Sequence, residues 1–369
     1  MTAERVANTP DMVARFVAVF DQTPMRDLIA NLDSTVDQIT VAGRAYPVTL
    51  NQRDQRGNCY ICNPVTAYID YAIDETRHFK SHPALRLAIR TLIGACAPLL
   101  RAAGIDHQVQ INNWLFSTNP VPTLTQGAVA AMRDNLTAAY PDRALVIRSL
   151  NTTADAATLG TLRDAGFRLL PARQIYLFDA TACTHPSANM KRDRLALART
   201  DHDLVTNDDI TEADYARAAQ LYEMLYIDKY TPLNPRYTAL YLRRMHIAGL
   251  MQLRGLRAAD GRLVAVTGLF ANGRTLTQPI VGYDTTRPRQ EGLYRMVMAM
   301  AQDIAMAQGL FFNMSAGAAA FKRHRMAVPV IEYTAVYAQH LGHKKRSALR
   351  VIEAVLTKVG IPILQRFGL

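Results

Sequence analysis

Arg287, Arg289 and Gly292, in the stretch TTRPRQEG, have the types and spacing of an anion site. The stretch follows a strand-like segment ending at Asp284 and precedes a helix-like segment opening at Leu293. A loop in that position presents free backbone N–H groups and the positive end of a helix dipole, which suits a pyrophosphate. Two guanidinium groups would add charge-assisted hydrogen bonds; the plainer alternative is a solvated basic loop. Downstream, NMSAGAAAFKRHRM places Asn313 and Ser315 before a run of tiny residues and Lys322, Arg323 and Arg325 after it. Gly317 and the alanines permit close approach of a ligand or another backbone. Asn313, Ser315 and Tyr283 are candidate substrate contacts, and Lys322 a candidate catalytic cation, against the alternative of a solvated helix lysine. Asp284 and Glu332 are candidate bases for the proton of an attacking ammonium. Tyr222, Tyr226 and Tyr230 recur every four residues, so Tyr226 could reach an acceptor, although a packing stripe explains the same spacing. The histidines lack a metal-binding spacing, and Cys59 and Cys62 form a lone CxxC that reads as packing rather than metal or redox chemistry.

Several elements must position these groups. RLVAVTGLFANG and RTLTQPIVGYD predict a hairpin turning at Asn272 and Gly273. LYRMVMAMAQDIAMAQG has apolar residues near helical spacing and Gly309 placed to end the helix. LFFNMS predicts a short buried strand and VPVIEYTAVY a closing one. In the first half HQVQINNWLFS, RALVIRSL and FRLLPARQIYLFD predict strands, with TQGAVAAMRDNLTAAY and NTTADAATLGTLRDAG as intervening helices. The same succession occurs twice, which points to a duplicated α/β (α+β) domain. The crossing is expected at Thr184–Arg199, giving domains at 1–190 and 191–341. A basic amphipathic helix over 347–359, within a tail at 342–369, is expected to pack on the C-terminal domain or to dock an acidic carrier protein or an anionic lipid surface.

Length and charge bound the function. A chain of 369 residues with 49% hydrophobic and 20% charged residues buries a large core and exceeds what one core supports. The opening residues have no continuous apolar run of signal-peptide type, so a cytoplasmic protein is expected. The net charge of +11 implies an anionic partner. The tail from Gly342 carries six basic residues against one acid.

The segment VGYDTTRPRQEGLYRMVMAMAQDIAMAQGLFFNMSAGAAAFKRH resembles the GNAT acyltransferase superfamily, and in tandem form the Fem-type peptidyl transferases. IRSLNTTADAATLGTLRDAGF is a fainter echo. The resemblance implies two domains, each a mixed, splayed sheet flanked by helices, and an acyl donor meeting an amine in the splay. The superfamily's phosphate motif, Q/R-x-x-G-x-G/A, is matched by Arg289 and Gly292 but carries Tyr294 where a small residue normally stands. Fem-type relatives lack that motif and use aminoacyl-tRNA; their lysine after an aromatic residue is similar to Phe321-Lys322. The expected function is N-acyl transfer from acyl-CoA or an acyl carrier protein to a small-molecule amine, without a metal. Aminoacyl-tRNA-dependent transfer and a non-catalytic GNAT-like binder are the alternatives.

Overall fold

The computed structural model describes residues 11–52, 57–78 and 82–368. The opening ten residues, which enter the expectation about the N-terminus, and Leu369 of the tail lie outside the described residues. In chain order the elements begin with α1 (Met12–Val19), α2 (Met25–Leu28), β1 (Thr35–Val41) and β2 (Arg44–Asn51). Next come α3 (Tyr71–Glu75), α4 (Pro83–Ala95), α5 (Ala97–Ala103), β3 (Gln108–Ile111), α6 (Gln126–Ala139) and β4 (Ala144–Asn151). They are followed by α7 (Ala156–Asp164), β5 (Arg168–Asp179), α8 (Ala188–Ala198), β6 (Asp203–Val205), α9 (Glu212–Glu223) and α10 (Ala239–Ile247). The remainder is β7 (Gln252–Arg257), β8 (Leu263–Asn272), β9 (Thr275–Tyr283), α11 (Leu293–Gln308), β10 (Phe311–Asn313), α12 (Ala319–Arg323), β11 (Val328–Tyr337), α13 (His343–Val355) and α14 (Ile361–Phe367).

The chain forms two compact units. The first comprises the described parts of Asn31–Ile175, Leu233–Pro235 and Val330–Leu369. Its strands run in the order β1-β2-β3-β4-β11-β5, with β3 and β4 parallel and β11 antiparallel to β4. Alternation along β4 feeds two cores: Leu145 and Ile147 pack with Leu159 and Leu162 of α7, while Ala144 and Val146 pack with Leu100 of α5 and Leu349 of α13. The second unit comprises the described part of Met1–Ala30 with Tyr176–Pro232 and Arg236–Pro329. Its strand order is β5-β10-β9-β8-β7-β6, with β10 parallel to β9 and antiparallel to β5. Helix α11 buries Met296, Val297, Met300 and Ile304 against this unit's core. Beside β9, a Cβ on Gly282 would meet the Leu221 carbonyl carbon at 2.5 Å, so glycine is what lets the α9 backbone lie against the strand that leads into the Asp284 loop.

Three sequence expectations change. The chain passes from one unit to the other at Ile175/Tyr176, inside β5, ahead of Thr184–Arg199, and β11, expected to close the second domain, pairs with β4 of the first unit. Both strands are long, at 12 and 10 residues, and β5 supplies its first part to one unit and its last part to the other. The strand expected across HQVQINNWLFS stops at Ile111, because Asn112 and Leu115 adopt positive φ and the Asn119 carboxamide oxygen accepts the Trp114 N–H at 3.0 Å. The tail helix packs in the first unit, where Ala348, Leu349 and Ile352 join the core formed with α5, and it continues through a π turn at Leu356–Gly360 into α14.

Candidate functional site

In the second unit the loop after β9 is braced at both ends. The Asp284 carboxylate accepts from the Thr286 N–H at 3.1 Å and hydroxyl at 2.6 Å, and from Arg217 of α9 at 2.6 Å. Burial pushes its pKa up, but the Thr286 donors and the Arg217 charge outweigh that and hold it below the usual aspartate value. A carboxylate so held is a weak base and a good brace. Arg287 donates to Glu291 at 2.6 Å, and His202 lies 3.4 Å from the same carboxylate. Gly292, at φ +70°, turns the chain into α11. Arg289 remains exposed, with no carboxylate partner among the described residues.

Tyr294, on the first turn of α11, packs between Tyr283 at 6.0 Å and Phe321 at 5.0 Å between ring centroids. Burial raises its phenol pKa, so the hydroxyl stays protonated. Lys229 donates to the Tyr283 hydroxyl at 3.2 Å. Tyr226 lies in a π turn, Met224–Tyr230, with its ring stacked on the buried Tyr222 at 4.8 Å. The tyrosines of this segment pack on one another.

Asn313, Ser315 and Lys322 come together around one turn. Ser315, Gly317 and Ala318 all have positive φ, at 61°, 75° and 49°, a costly conformation for the two that carry a Cβ. The Asn313 side chain accepts the Ser315 N–H at 2.9 Å. Lys322, read from the sequence as a candidate catalytic cation or else a solvated helix lysine, is 3% exposed and donates its ammonium to the carbonyls of Ser315 at 3.1 Å and Ala316 at 2.7 Å. The cation therefore holds the turn. Arg325 is also buried, paired with Asp193 of α8, whose other oxygen accepts from Arg295 of α11 at 2.7 Å. That three-residue cluster ties α8 and α11 to the segment after α12.

Glu332 belongs to the first unit. It lines a cavity of about 90 Å³ with Tyr60, Tyr68, Tyr71, Gln108 and Arg148. Both its oxygens are engaged by Arg173, at 2.8 and 3.2 Å, and Arg173 also donates to the Ser117 carbonyl and the Thr118 hydroxyl. Two guanidiniums and one carboxylate leave a local excess of positive charge, and the buried Gln108 carboxamide oxygen has no hydrogen-bond partner among the described residues. An N–H donor would satisfy it. Cys62, nearby, is buried with its thiol pushed up to about 11, first by burial and against the opposing charge of Arg148. Of these residues the sequence singles out Glu332 as a candidate base and Cys62 within a CxxC; Tyr60, Tyr68, Tyr71, Gln108, Arg148 and Arg173 are not singled out, nor are Arg217, His202 and Asp193. The available signal was polar residues two apart in otherwise apolar strands, Gln108 with Gln110 and Glu332 with Thr334.

No family model matches the sequence, and no curated protein matches it. Among solved structures, FemX is similar over 89% of this chain and 96% of its own, with 9% identity and a TM-score of 0.51. A tandem GNAT protein from the clavulanic acid biosynthesis pathway covers 89% of this chain and 96% of its own at 12% identity, with a TM-score of 0.37. L-PGS from Bacillus licheniformis covers 61% and 77% at 13% identity, with a TM-score of 0.45. At these identities the likeness concerns the fold.

Proposed function

We propose that this chain, whose fold is GNAT-like and of the Fem type, transfers an acyl or aminoacyl group from an activated, anionic donor to an amine in the cytoplasm. The observation that carries the reading is the braced loop in the second unit. Asp284 and Arg287 are consumed in fixing it, and Arg289 is left exposed beside the αL turn that opens α11. A donor phosphate there takes the guanidinium of Arg289 and the first free amides of a 16-residue helix. The amine nitrogen attacks the donor carbonyl, the thiolate or tRNA hydroxyl departs, and the amine's proton passes to solvent or a base. Positioning and amide stabilisation of the oxyanion suffice, because the donor is already activated.

An acyl-CoA or acyl carrier protein is the first donor class. Aminoacyl-tRNA is the second reading, favoured by Tyr294: its ring lies in an aromatic group with Tyr283 and Phe321 where a small residue would admit phosphates, and aromatic faces stack on bases. Equilibrium binding of CoA, acyl-CoA and charged tRNA to the wild type and to Arg289→Ala decides between them. Loss of one charged contact weakens the true donor by roughly 10- to 100-fold with unfolding unchanged. Binding of tRNA alone selects the second reading. A folded protein that binds none of the three overturns both and leaves a non-catalytic binder.

A further inference from the structure

The described residues of the first unit leave an apolar surface uncovered. Leu85, Leu87 and Leu92 of α4 are 44%, 66% and 43% exposed, and Ile89 is the only residue of that helix that is buried. Ala84, Ala88 and Ala95 extend the same exposed surface. An amphipathic helix of a soluble domain turns such leucines inward; here they face out. The surface continues into a groove between α4–α5 and α13–α14. Leu99, Val355, Leu356 and Ile363 line it, and the exposed Leu92 and Val359 stand at it.

Cations predominate on the tail side of this surface, while Asp70 and Asp106 share a pocket with Arg101 and α3, with Asp74 and Glu75, packs against α4. Pro83–Ala103 contains Arg86, Arg90 and Arg101 and no carboxylate. The tail adds Lys344, Lys345, Arg346, Arg350, Lys358 and Arg366, none with a carboxylate partner among the described residues. Its single acid, Glu353, is paired with Arg168. The stem of Lys345 lies against Gly104 at the end of α5, so tail cations and the α4–α5 segment share one side-chain neighbourhood.

We infer that this surface seats the protein on an anionic lipid bilayer, with the leucines of α4 entering the interface and the exposed Arg90 and the cations of the tail meeting lipid phosphates. Charge complementarity selects this occupant: an apolar face and groove beside six tail cations that have no carboxylate partner among the described residues match the headgroup–acyl boundary of an anionic leaflet. The segment Pro83–Ala103 is long and apolar enough to cross a membrane by length and composition. It lies on the surface instead, because Leu100 and Ala103 are core residues and α5 packs with α13 in the same core. The attachment is peripheral.

Co-sedimentation of the full chain with vesicles of phosphatidylcholine alone, and of phosphatidylcholine mixed with phosphatidylglycerol, tests this. The wild type binds the mixed vesicles, and raising salt releases it. Changing Lys344, Lys345 and Arg346 together to Gln lowers the partition coefficient by roughly 100-fold, at about 1 kcal/mol per charge near the surface. Leu85→Ser with Leu87→Ser lowers it by roughly 10-fold or more without loss of folded signal, since both side chains are already exposed. Equal partitioning of the leucine variant and the wild type, or no binding to the mixed vesicles, overturns the inference. So does a concentration-dependent dimer that the leucine changes abolish while vesicle binding stays at background, which would make the face a contact between copies.

Discussion

Replacing Lys322 discriminates between a ligand contact and a structural cation. Its ammonium serves two carbonyls, but the Ser315 carbonyl also accepts the Tyr176 N–H at 3.1 Å. Lys322→Met keeps most of the stem and removes the donor. The half-buried Ala316 carbonyl is then the group that loses its short bond, and losing a hydrogen bond from a charged donor there costs about 1–3 kcal/mol. Lys322→Ala also deletes buried methylenes at about 0.8 kcal/mol each, giving about 3–5 kcal/mol in total. Urea unfolding followed by a signal from the second unit measures both, and the ordering Ala below Met below wild type at constant m-value is the expected result. Donor affinity measured on the same proteins separates the roles: it falls with Lys322→Met only if a phosphate competes for the ammonium. An unchanged urea midpoint for Lys322→Ala would refute the structural assignment.

Glu332→Ala leaves Arg173, with Arg148 nearby, facing the cavity without its carboxylate; breaking such a buried pair costs about 3–5 kcal/mol, read as a lower urea midpoint in the first unit. Asp284 gives a pH signature. Its folded pKa lies below the ordinary 3.8, so its contribution is complete above 3.8 and is lost as pH falls through the folded value. Acid titration of stability should therefore be flatter below 3.8 for Asp284→Asn than for the wild type. Gly282→Ala forces a Cβ into the backbone of Leu221 and Tyr222 and destabilises the second unit by about 1–3 kcal/mol or more, and a neutral effect in thermal unfolding would contradict the close approach of α9 to β9.

The elements between Leu263 and Tyr337 are legible because their signals are local. Asn272 and Gly273 separate β8 from β9, and Gly309, at φ +63°, ends α11 where the apolar spacing stops. The exchange of β5 and β11 between units is not local. Both strands contain runs of three or more successive buried residues, which announce a strand without naming the partner that pairs with it. The cavity around Glu332 is hidden for the same reason: it joins Tyr60, Gln108, Arg148 and Arg173, which no short window contains.

The small residues after Asn313 carry a more specific lesson. Their run is what a turn with three positive φ values within four residues requires, since larger side chains at 315, 317 and 318 would add strain to backbone already outside the favoured regions. The polar groups on either side then act on the turn itself, Asn313 on the Ser315 amide and Lys322 on the carbonyls of Ser315 and Ala316. Their types suggested a bound ligand, because nothing in residue type distinguishes a lysine bonded to its own backbone from one bonded to a phosphate. Burial decides it. At 3% exposure the ammonium is largely shut off from solvent and two of its three N–H groups go to these carbonyls, so a phosphate competing for those two would have to displace bonds that hold the turn, whereas the Arg289 guanidinium is exposed.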